Sequence, residues 1–266
     1  MKALKFLLVI AAVFLFRQAY SQNDIITDRP DQSESPYLVD KGYIQIEIGA
    51  AVERTEVIKL TVTGDEITVN THSYPSVLFR FGLAKNIELR AAIEYLQLKE
   101  SYKFGGNTMT ESGLSPLTLG TKIHMIKESG AVPQTALLLS VAIPFKEDSY
   151  FQSDYIGTEF RFAMTNNLNN RFALSYNLGA EFGAGSPGAT GLYSVSLGAA
   201  LAGRLSAFAE LYGFLPQKTS PDHRFDAGLT YLFLKNVQAD ASFGLGISEK
   251  SPDYFVGFGV SLRLPK

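Results

Sequence analysis

The chain has 266 residues, 23 of them glycine, and a net charge of −2 at pH 7 with neutral histidines. It is 46% hydrophobic and 12% aromatic, which excludes a disordered polymer because such chains are poor in aromatic and β-branched side chains. It has no cysteine, so disulfides, thiolate metal sites and a cysteine nucleophile are excluded as well.

The first 21 residues predict a cleaved secretory signal peptide. Lys2 and Lys5 precede an apolar run over residues 6–16, and Ala19 and Ser21 supply the small residues that a signal peptidase reads. A membrane-anchoring helix is the alternative, but this run is too short to cross a bilayer as a helix. Cleavage removes three of the 24 basic residues and none of the 26 acidic ones, so the mature chain carries −5. That acidity argues against a nucleic-acid partner, which would require a basic stripe.

Apolar and polar side chains alternate along most of the mature chain, which predicts strands with two different faces. In one example, Ile87, Leu89 and Ile93 lie on one face, whereas Glu88 and Arg90 lie on the other. The same period recurs in segment after segment. We predict twelve strands, which start near Tyr43, Glu66, Ile87, Gly113, Gln134, Tyr155, Asn170, Ala189, Leu205, His223, Val237 and Tyr254.

The connections between these strands alternate in length. Short turns are predicted at residues 85–86, 203–204 and 235–236, and longer Gly-, Ser- and Pro-rich loops at residues 104–112 and 146–154. An even strand number with short turns on one side and longer loops on the other is typical of outer-membrane barrels.

The predicted fold class is therefore all-β: a transmembrane antiparallel up-and-down β-barrel over residues 43–266, preceded by a polar segment over residues 22–42. A soluble β-sandwich also alternates and is the main alternative. The regular spacing along the whole chain and the alternating connection lengths favour the barrel.

The end of the chain carries a second signal. Glycine followed by apolar residues at alternate positions over residues 259–264 resembles the C-terminal β-signal that the barrel-assembly machinery reads, although the chain ends in Pro265 and Lys266 instead of an aromatic residue. We therefore expect the secretion and barrel-assembly machinery as partners in biogenesis, and outer-membrane lipids as partners of the folded protein.

Both ends of the mature chain carry short sequence motifs that are more specific than the strand pattern between them. T-D-R-P at residues 27–30, S-P at 35–36 and K-G-x-x-Q-x-E at 41–47 form the opening, and the last hairpin runs from K-N-V-Q-A-D at 235–240 to D-Y-F-V-G at 253–257. These motifs resemble the family of outer-membrane transporters named after the MetA pathway of phenol degradation. The resemblance implies a barrel in the outer membrane of a Gram-negative bacterium with a transport role; it does not imply phenol as the solute.

The charges of a barrel wall must face the lumen, because the outer face meets lipid. Such charges set the ion and solute preference of a pore. The lumen and solute-pathway residues that follow from strand parity are Glu47, Glu53, Arg80, Glu88, Arg90, Glu94, Lys122, Glu159, Arg161, Glu181, Glu210, Asp226, Asp240 and Arg263.

Two questions about the lumen stay open at this stage. A narrow conduit for small hydrophilic or amphipathic solutes is one possibility, and an interior filled by paired side chains is the other, since twelve strands fall between filled and open barrels. The polar segment before the first strand either threads into the lumen as a plug, with Asp28, Arg29 and Asp31 meeting luminal charges, or is a loose periplasmic tail.

Other functions have weaker support. An outer-membrane lipid-modifying enzyme would need a nucleophile and a base, but no G-x-S-x-G elbow is present and none of the three histidines, His72, His124 and His223, neighbours a plausible nucleophile in sequence. We expect no catalytic residues, no metal site and no cofactor. A structural or adhesive barrel is disfavoured by short loops.

Overall fold

The computed structural model describes residues 24–59, 66–103, 106–145, 150–183 and 188–264. The predicted signal peptide, residues 1–21, lies outside the described residues. Within the described part of the chain, no helix is long and apolar enough to cross a membrane. The strands are β1 (Ile44–Lys59), β2 (Glu66–Ala84), β3 (Ile87–Tyr102), β4 (Thr108–Leu114), β5 (Leu117–Ile126), β6 (Gln134–Ile143), β7 (Gly157–Asn167), β8 (Phe172–Phe182), β9 (Thr190–Ala202), β10 (Leu205–Pro216), β11 (Asp222–Leu234), β12 (Val237–Gly246) and β13 (Tyr254–Leu264).

These strands form one antiparallel sheet that closes on itself. Neighbours in the chain pair with each other, and β1 pairs with β13 from Ile44↔Leu264 to Arg54↔Tyr254. Both β4 and β5 pair with β3, so they are two parts of one wall strand, which is interrupted where Pro116 cannot donate a backbone N–H to the ladder. The wall therefore has twelve strands, which confirms the predicted barrel and excludes a sandwich of two separate sheets.

The start of the fourth wall strand was predicted wrongly. We expected it near Gly113, after a loop over residues 104–112, but its pairing with β3 begins at Ser101↔Thr108. The polar composition suggested a loop, yet the two threonines at 108 and 110 suit a strand whose faces both meet water beyond the membrane. The other strands start within two residues of their predicted positions.

The two faces of the wall differ as the alternation predicted. Outward side chains such as Ile48 and Val260 are 47% and 52% exposed, whereas their inward neighbours Glu47 and Ser261 are 1% and 0% exposed. An interior that is polar and an exterior that is apolar are the reverse of a soluble fold. Lipid is the environment in which this arrangement is stable, because the apolar exterior then contacts apolar lipid chains. A closed sheet also pairs its own backbone groups, so it has no strand edge that lipid would leave without hydrogen bonds.

The barrel has two different rims. One carries the short connections, such as the Gly203–Arg204 turn, together with the start of β1 and the end of β13, and we call it the short-turn rim. The opposite rim carries the longer connections and is called the long-loop rim. In outer-membrane barrels the short turns face the periplasm.

We predict that Leu229→Arg destabilises the barrel by about 2–4 kcal/mol if the residue lies at the bilayer midplane, because its charge would enter lipid. Leu229 points outward from the middle of β11 and is 49% exposed. The matched control is Thr230→Arg on the inner face, for which we expect a much smaller loss. Urea titration of both variants refolded into lipid vesicles measures the difference; equal losses would contradict the assigned faces.

Candidate functional site: the lumen and its N-terminal insert

Residues 25–39, which precede β1, lie inside the barrel and are called the insert. The Ile25 N–H donates to the Lys235 carbonyl at 2.7 Å, which places the start of the insert at the short-turn rim. The chain then runs into the lumen and returns to the same rim, where Gly42, with φ of 84°, donates to the Gly82 carbonyl at 2.7 Å. The insert therefore enters and leaves the lumen through the short-turn rim.

A buried carboxylate anchors the insert to one side of the wall. Asp28 accepts from Lys122 Nζ at 2.7 Å and from Arg90 Nη1 at 2.5 Å, and Arg80 Nη1 lies 3.1 Å from the same oxygen. Arg80 and Lys122 are 1% and 0% exposed. Glu34 reinforces the anchor through Arg90 Nη2 at 2.7 Å. These three cations stand on the successive wall strands β2, β3 and β5, so we call this side the basic wall.

The basic wall is braced by carboxylates of its own. Arg80 donates to both oxygens of Glu88 at 2.8 and 3.0 Å and to Glu47 at 2.9 Å. Glu47 also accepts the backbone N–H of Asp28 at 3.1 Å and an amide N–H of Gln45 at 2.8 Å. A buried charge is tolerated only when it is paired and hydrogen-bonded. Asp28 thus belongs to a buried network of ion pairs and hydrogen bonds, and this network lacks one of its carboxylates when the insert is absent.

The opposite side of the lumen holds the insert differently. Glu210 accepts the Gln32 N–H at 2.7 Å and the Ser33 hydroxyl, and the Ser33 and Ser194 hydroxyls share a hydrogen bond of 2.6 Å. Asp31 accepts from Ser196 Oγ at 3.1 Å. Glu210, Asp226 and Asp240 stand on the successive strands β10, β11 and β12, so we call this side the acidic wall.

The two aspartates of the insert meet opposite electrostatic environments. Burial alone would raise the pKa of Asp28, but the charges of Arg80, Lys122 and Arg90 together hold that pKa well below its usual range. Burial and the nearby Glu210 carboxylate raise the pKa of Asp31 well above its usual range. Asp28 therefore stays ionised to a lower pH than a free aspartate, whereas Asp31 gains a proton more readily than a free aspartate.

Arg29 contacts a different part of the wall from Asp28. Its Nη2 donates to the Phe258 carbonyl at 2.9 Å and lies 3.3 Å from Asp240 Oδ1. The guanidinium lies against Gly49 and Gly259, which are register partners on β1 and β13. A Cβ at either glycine would overlap the guanidinium group, so both positions must lack a side chain for Arg29 to lie there.

The insert leaves a cavity on each of its two faces. The outer cavity, about 260 Å³, faces the long-loop rim and combines apolar Leu78 and Leu138 with the charged Arg90, Glu159 and Arg161. The inner cavity, about 340 Å³, lies beside the β7–β8 turn of the short-turn rim, and Asn167, Asn169 and Phe208 contribute to its lining. Arg29 lines both cavities.

The sequence-predicted lumen residues all stand on the inner face of the wall. Eight of them bond to the insert: Glu47, Arg80, Glu88, Arg90, Lys122, Arg161, Glu210 and Asp240. The remaining ones lie elsewhere on that face: Glu53 beside Arg224, Glu94 beside Ser73, Glu159 beside Arg161, Glu181 opposite Glu159, Asp226 opposite Glu210, and Arg263 over the Tyr43 ring. Their role in a solute pathway stays a prediction.

Some residues of the site were missed by sequence reasoning. Glu34 was not singled out, although it lies in the same charged segment as Asp28 and Arg29. Gly49 and Gly259 read as ordinary strand glycines, and only their pairing across the β1–β13 seam shows what they accommodate. The polar contacts of Ser33 and Ser194 carry no sequence signal, because serine is common on any lumen face.

Catalytic and metal chemistry finds little support in the same residues. The ring of His223 bonds to the Tyr193 hydroxyl at 2.7 Å, whereas the nearby Ser251 hydroxyl bonds to Asp222 and to the His223 carbonyl. This is not the nucleophile–base contact of a hydrolase. Across the described ranges, no group of three or more potential metal ligands is brought together.

A closed twelve-stranded sheet that is apolar outside and charged inside defines an outer-membrane-type β-barrel with an internal N-terminal segment. The chain belongs to the family described as "Putative MetA-pathway of phenol degradation", whose model matches residues 27–264. This match confirms the resemblance seen in the motifs at the two ends. No curated protein matches the chain.

Several solved outer-membrane barrels share this architecture. The COG4313 outer membrane channel from Pseudomonas putida F1 aligns over 90% of this chain and 100% of its own, with a TM-score of 0.63 and 12% identity. The translocator domain of the autotransporter NalP from Neisseria meningitidis aligns over 85% and 90%, with a TM-score of 0.52 and 14% identity. The KdgM porin aligns over 82% and 98%, with a TM-score of 0.51 and 9% identity. At these identities the similarity establishes the fold.

We predict that Asp28→Asn releases the insert and costs about 3–5 kcal/mol of stability, because it removes the one buried carboxylate that contacts all three cations of the basic wall. Cleavage after Glu34, which precedes Ser35, by a Glu-specific protease measures release in the detergent-solubilised barrel, and urea titration measures stability. Asp24→Asn is the matched control, since Asp24 is exposed before the insert begins. Equal protection of Glu34 in all three proteins would contradict the anchoring role of Asp28.

We also predict that docking of the insert first strengthens and then weakens as the pH falls from neutral. Asp31 has a raised pKa when docked, so its contribution to docking is greatest at low pH and is lost as the pH rises through the docked pKa. Asp28 has a lowered pKa, so its contribution is present above the ordinary aspartate pKa of about 3.9 and is lost as the pH falls below it. Docking should strengthen from neutral pH towards about pH 5 and fail in stronger acid.

A nitroxide on Gln32→Cys, whose side chain is exposed in a chain without native cysteine, measures this profile through its mobility. Asp31→Asn should weaken the increase in docking between neutral pH and about pH 5 and leave the acid release in place. A label whose mobility rises steadily from neutral pH downwards would contradict the assignment of Asp31.

Proposed function

We propose that the protein is a narrow outer-membrane channel for small solutes and that the insert gates its lumen. The observation that carries this proposal is the pair of cavities on opposite faces of the insert, one towards each rim. A barrel whose interior was simply filled would not need space on both sides of a removable segment. The insert is held by hydrogen bonds and ion pairs, which can exchange with solutes and water.

The lining of the outer cavity suggests the class of solute. Leu78 and Leu138 provide an apolar patch, and Arg90, Glu159 and Arg161 provide charges of both signs within the same space. Such a lining suits small amphipathic or hydrophilic molecules, because fixed charges orient polar groups while the patch accepts a short apolar part. Two of the solved structures with this fold are a channel and a porin, which supports transport as the general role.

Export and membrane insertion complete the proposal. The N-terminal 21 residues act as a secretory signal, the barrel-assembly machinery inserts the strands, and lipids of a Gram-negative outer membrane surround the apolar face. The protein acts without a cofactor and is not an enzyme. Two other functions would need different evidence: a permanently plugged structural or adhesive barrel requires an insert that never moves, and a lipid-modifying enzyme requires a serine that contacts a histidine ring.

The gating proposal is tested by locking the insert to the wall. The Ser33 and Ser194 hydroxyls are 2.6 Å apart and the chain has no cysteine, so Ser33→Cys combined with Ser194→Cys introduces a single possible disulfide. In planar bilayers we expect the oxidised double variant to conduct less than the wild type and dithiothreitol to restore conductance. A barrel that lacks residues 25–39 should conduct several-fold more than the wild type, since the insert lies inside the lumen and narrows it.

The two single variants, Ser33→Cys and Ser194→Cys, are the controls and should not respond to dithiothreitol. Absence of conductance in the deletion variant would contradict the channel itself. Conductance that the disulfide does not change, in a deletion variant that conducts strongly, would show that solutes pass beside a fixed insert and would contradict gating.

A further inference from the structure

We propose that the Arg29 side chain is the movable barrier between the two cavities and that its charge makes the passage prefer small anions to cations. This inference rests on the proposed channel function and adds to it the residue that closes the path. Among the described residues, Arg29 is the one that lines both the outer and the inner cavity. A solute that crosses from one cavity to the other must therefore pass this side chain.

Arg29 is held more weakly than the rest of the insert. Only Nη2 of its guanidinium donates to the wall, to the Phe258 carbonyl, and its distance of 3.3 Å from Asp240 is long for an ion pair between charged groups. Its Nε is buried without a hydrogen-bond partner. Asp28, one residue earlier, contacts three buried cations. The backbone is thus anchored at Asp28, whereas the neighbouring side chain keeps few bonds that hold it in place.

The wall is shaped so that Arg29 lies flat against it. Gly49 and Gly259 face each other across the β1–β13 seam, and their missing side chains leave the space that the guanidinium occupies. Glu34 and Glu47 contribute carboxylates to the lining of the outer cavity, which Arg29 also lines. Glu34 Oε2 accepts no hydrogen bond and, within the described ranges, has only Lys122 Nζ, at 3.4 Å, as an ion-pair partner.

The sign of the charge determines which ions pass. An anion that reaches the junction can replace Asp240 as the partner of Arg29, so it crosses by exchange of ion-pair partners with no bond made or broken. A cation meets the positive charge of the Arg29 guanidinium, and the repulsion between the two charges opposes its passage. Small organic carboxylates, which combine an anionic group with an apolar part, also match the mixed lining of the outer cavity.

Bilayer recordings under a KCl gradient and under a potassium benzoate gradient test this inference. We expect Arg29→Ala to raise conductance and to shift the anion-to-cation permeability ratio towards cations by on the order of tenfold, because a unit charge at a constriction contributes a potential of several kT. Arg29→Lys should keep the anion preference, since the charge remains. Arg204→Ala is the matched control, because Arg204 is exposed on the short-turn rim, lines neither cavity and should leave both quantities unchanged.

A second variant tests the position of the side chain apart from its charge. Gly49→Ala places a methyl group where the guanidinium lies, so it should change conductance in the wild-type background and have little further effect when combined with Arg29→Ala. Equal effects of Gly49→Ala in both backgrounds would show that it acts on the wall alone and would overturn the proposed cradle.

The outcomes separate this inference from the function on which it rests. If the barrel without residues 25–39 does not conduct, the channel function fails. If that barrel conducts but Arg29→Ala has the conductance and permeability ratio of the wild type, the channel function stands and Arg29 is not its barrier.

Discussion

Lipid outside the barrel forces every charge of the wall to face the lumen, and the rest of the structure depends on this constraint. Buried charges are costly unless they are paired, so a narrow lumen with many of them needs partners from somewhere. Among the wall residues, Arg80, Arg90 and Lys122 gather on one side and Glu210, Asp226 and Asp240 on the other. The insert supplies counter-charges to both sides: Asp28 and Glu34 meet the basic wall, and Arg29 meets the acidic wall.

The same complementarity explains why a short segment without helix or strand has a defined position. Asp28 and Arg29 are adjacent in the chain, and Asp28 contacts the basic wall whereas Arg29 contacts Asp240 of the acidic wall, so one dipeptide reaches both walls at once. The segment is therefore positioned by electrostatics and hydrogen bonds instead of by an apolar core. Interactions of this kind depend on ionisation and can exchange partners, which is what a gate inside a channel requires.

Much of the barrel could be predicted because lipid imposes a simple rule on strand sequences. Alternation along residues such as Ile87, Glu88 and Leu89 gives the faces, and the even number of segments gives the position of the termini. The fourth wall strand shows where the rule fails: beyond the membrane both faces meet water, alternation disappears, and residues 108–112 resemble a loop. The charged lumen residues could be assigned by parity, but the segregation into two walls requires knowing which strands are neighbours.

The sequence by itself determined the class of fold, the inward direction of the wall charges and the membership of a family, because each follows from local periodicity or from a motif. Only the tertiary structure decided where residues 25–39 lie, which wall each of their charges meets, and that Gly49 and Gly259 together make room for Arg29. These features depend on contacts between residues that are up to 230 positions apart in the chain, as for Arg29 and Gly259. A local sequence pattern does not predict such a contact, because it forms only once the sheet has closed.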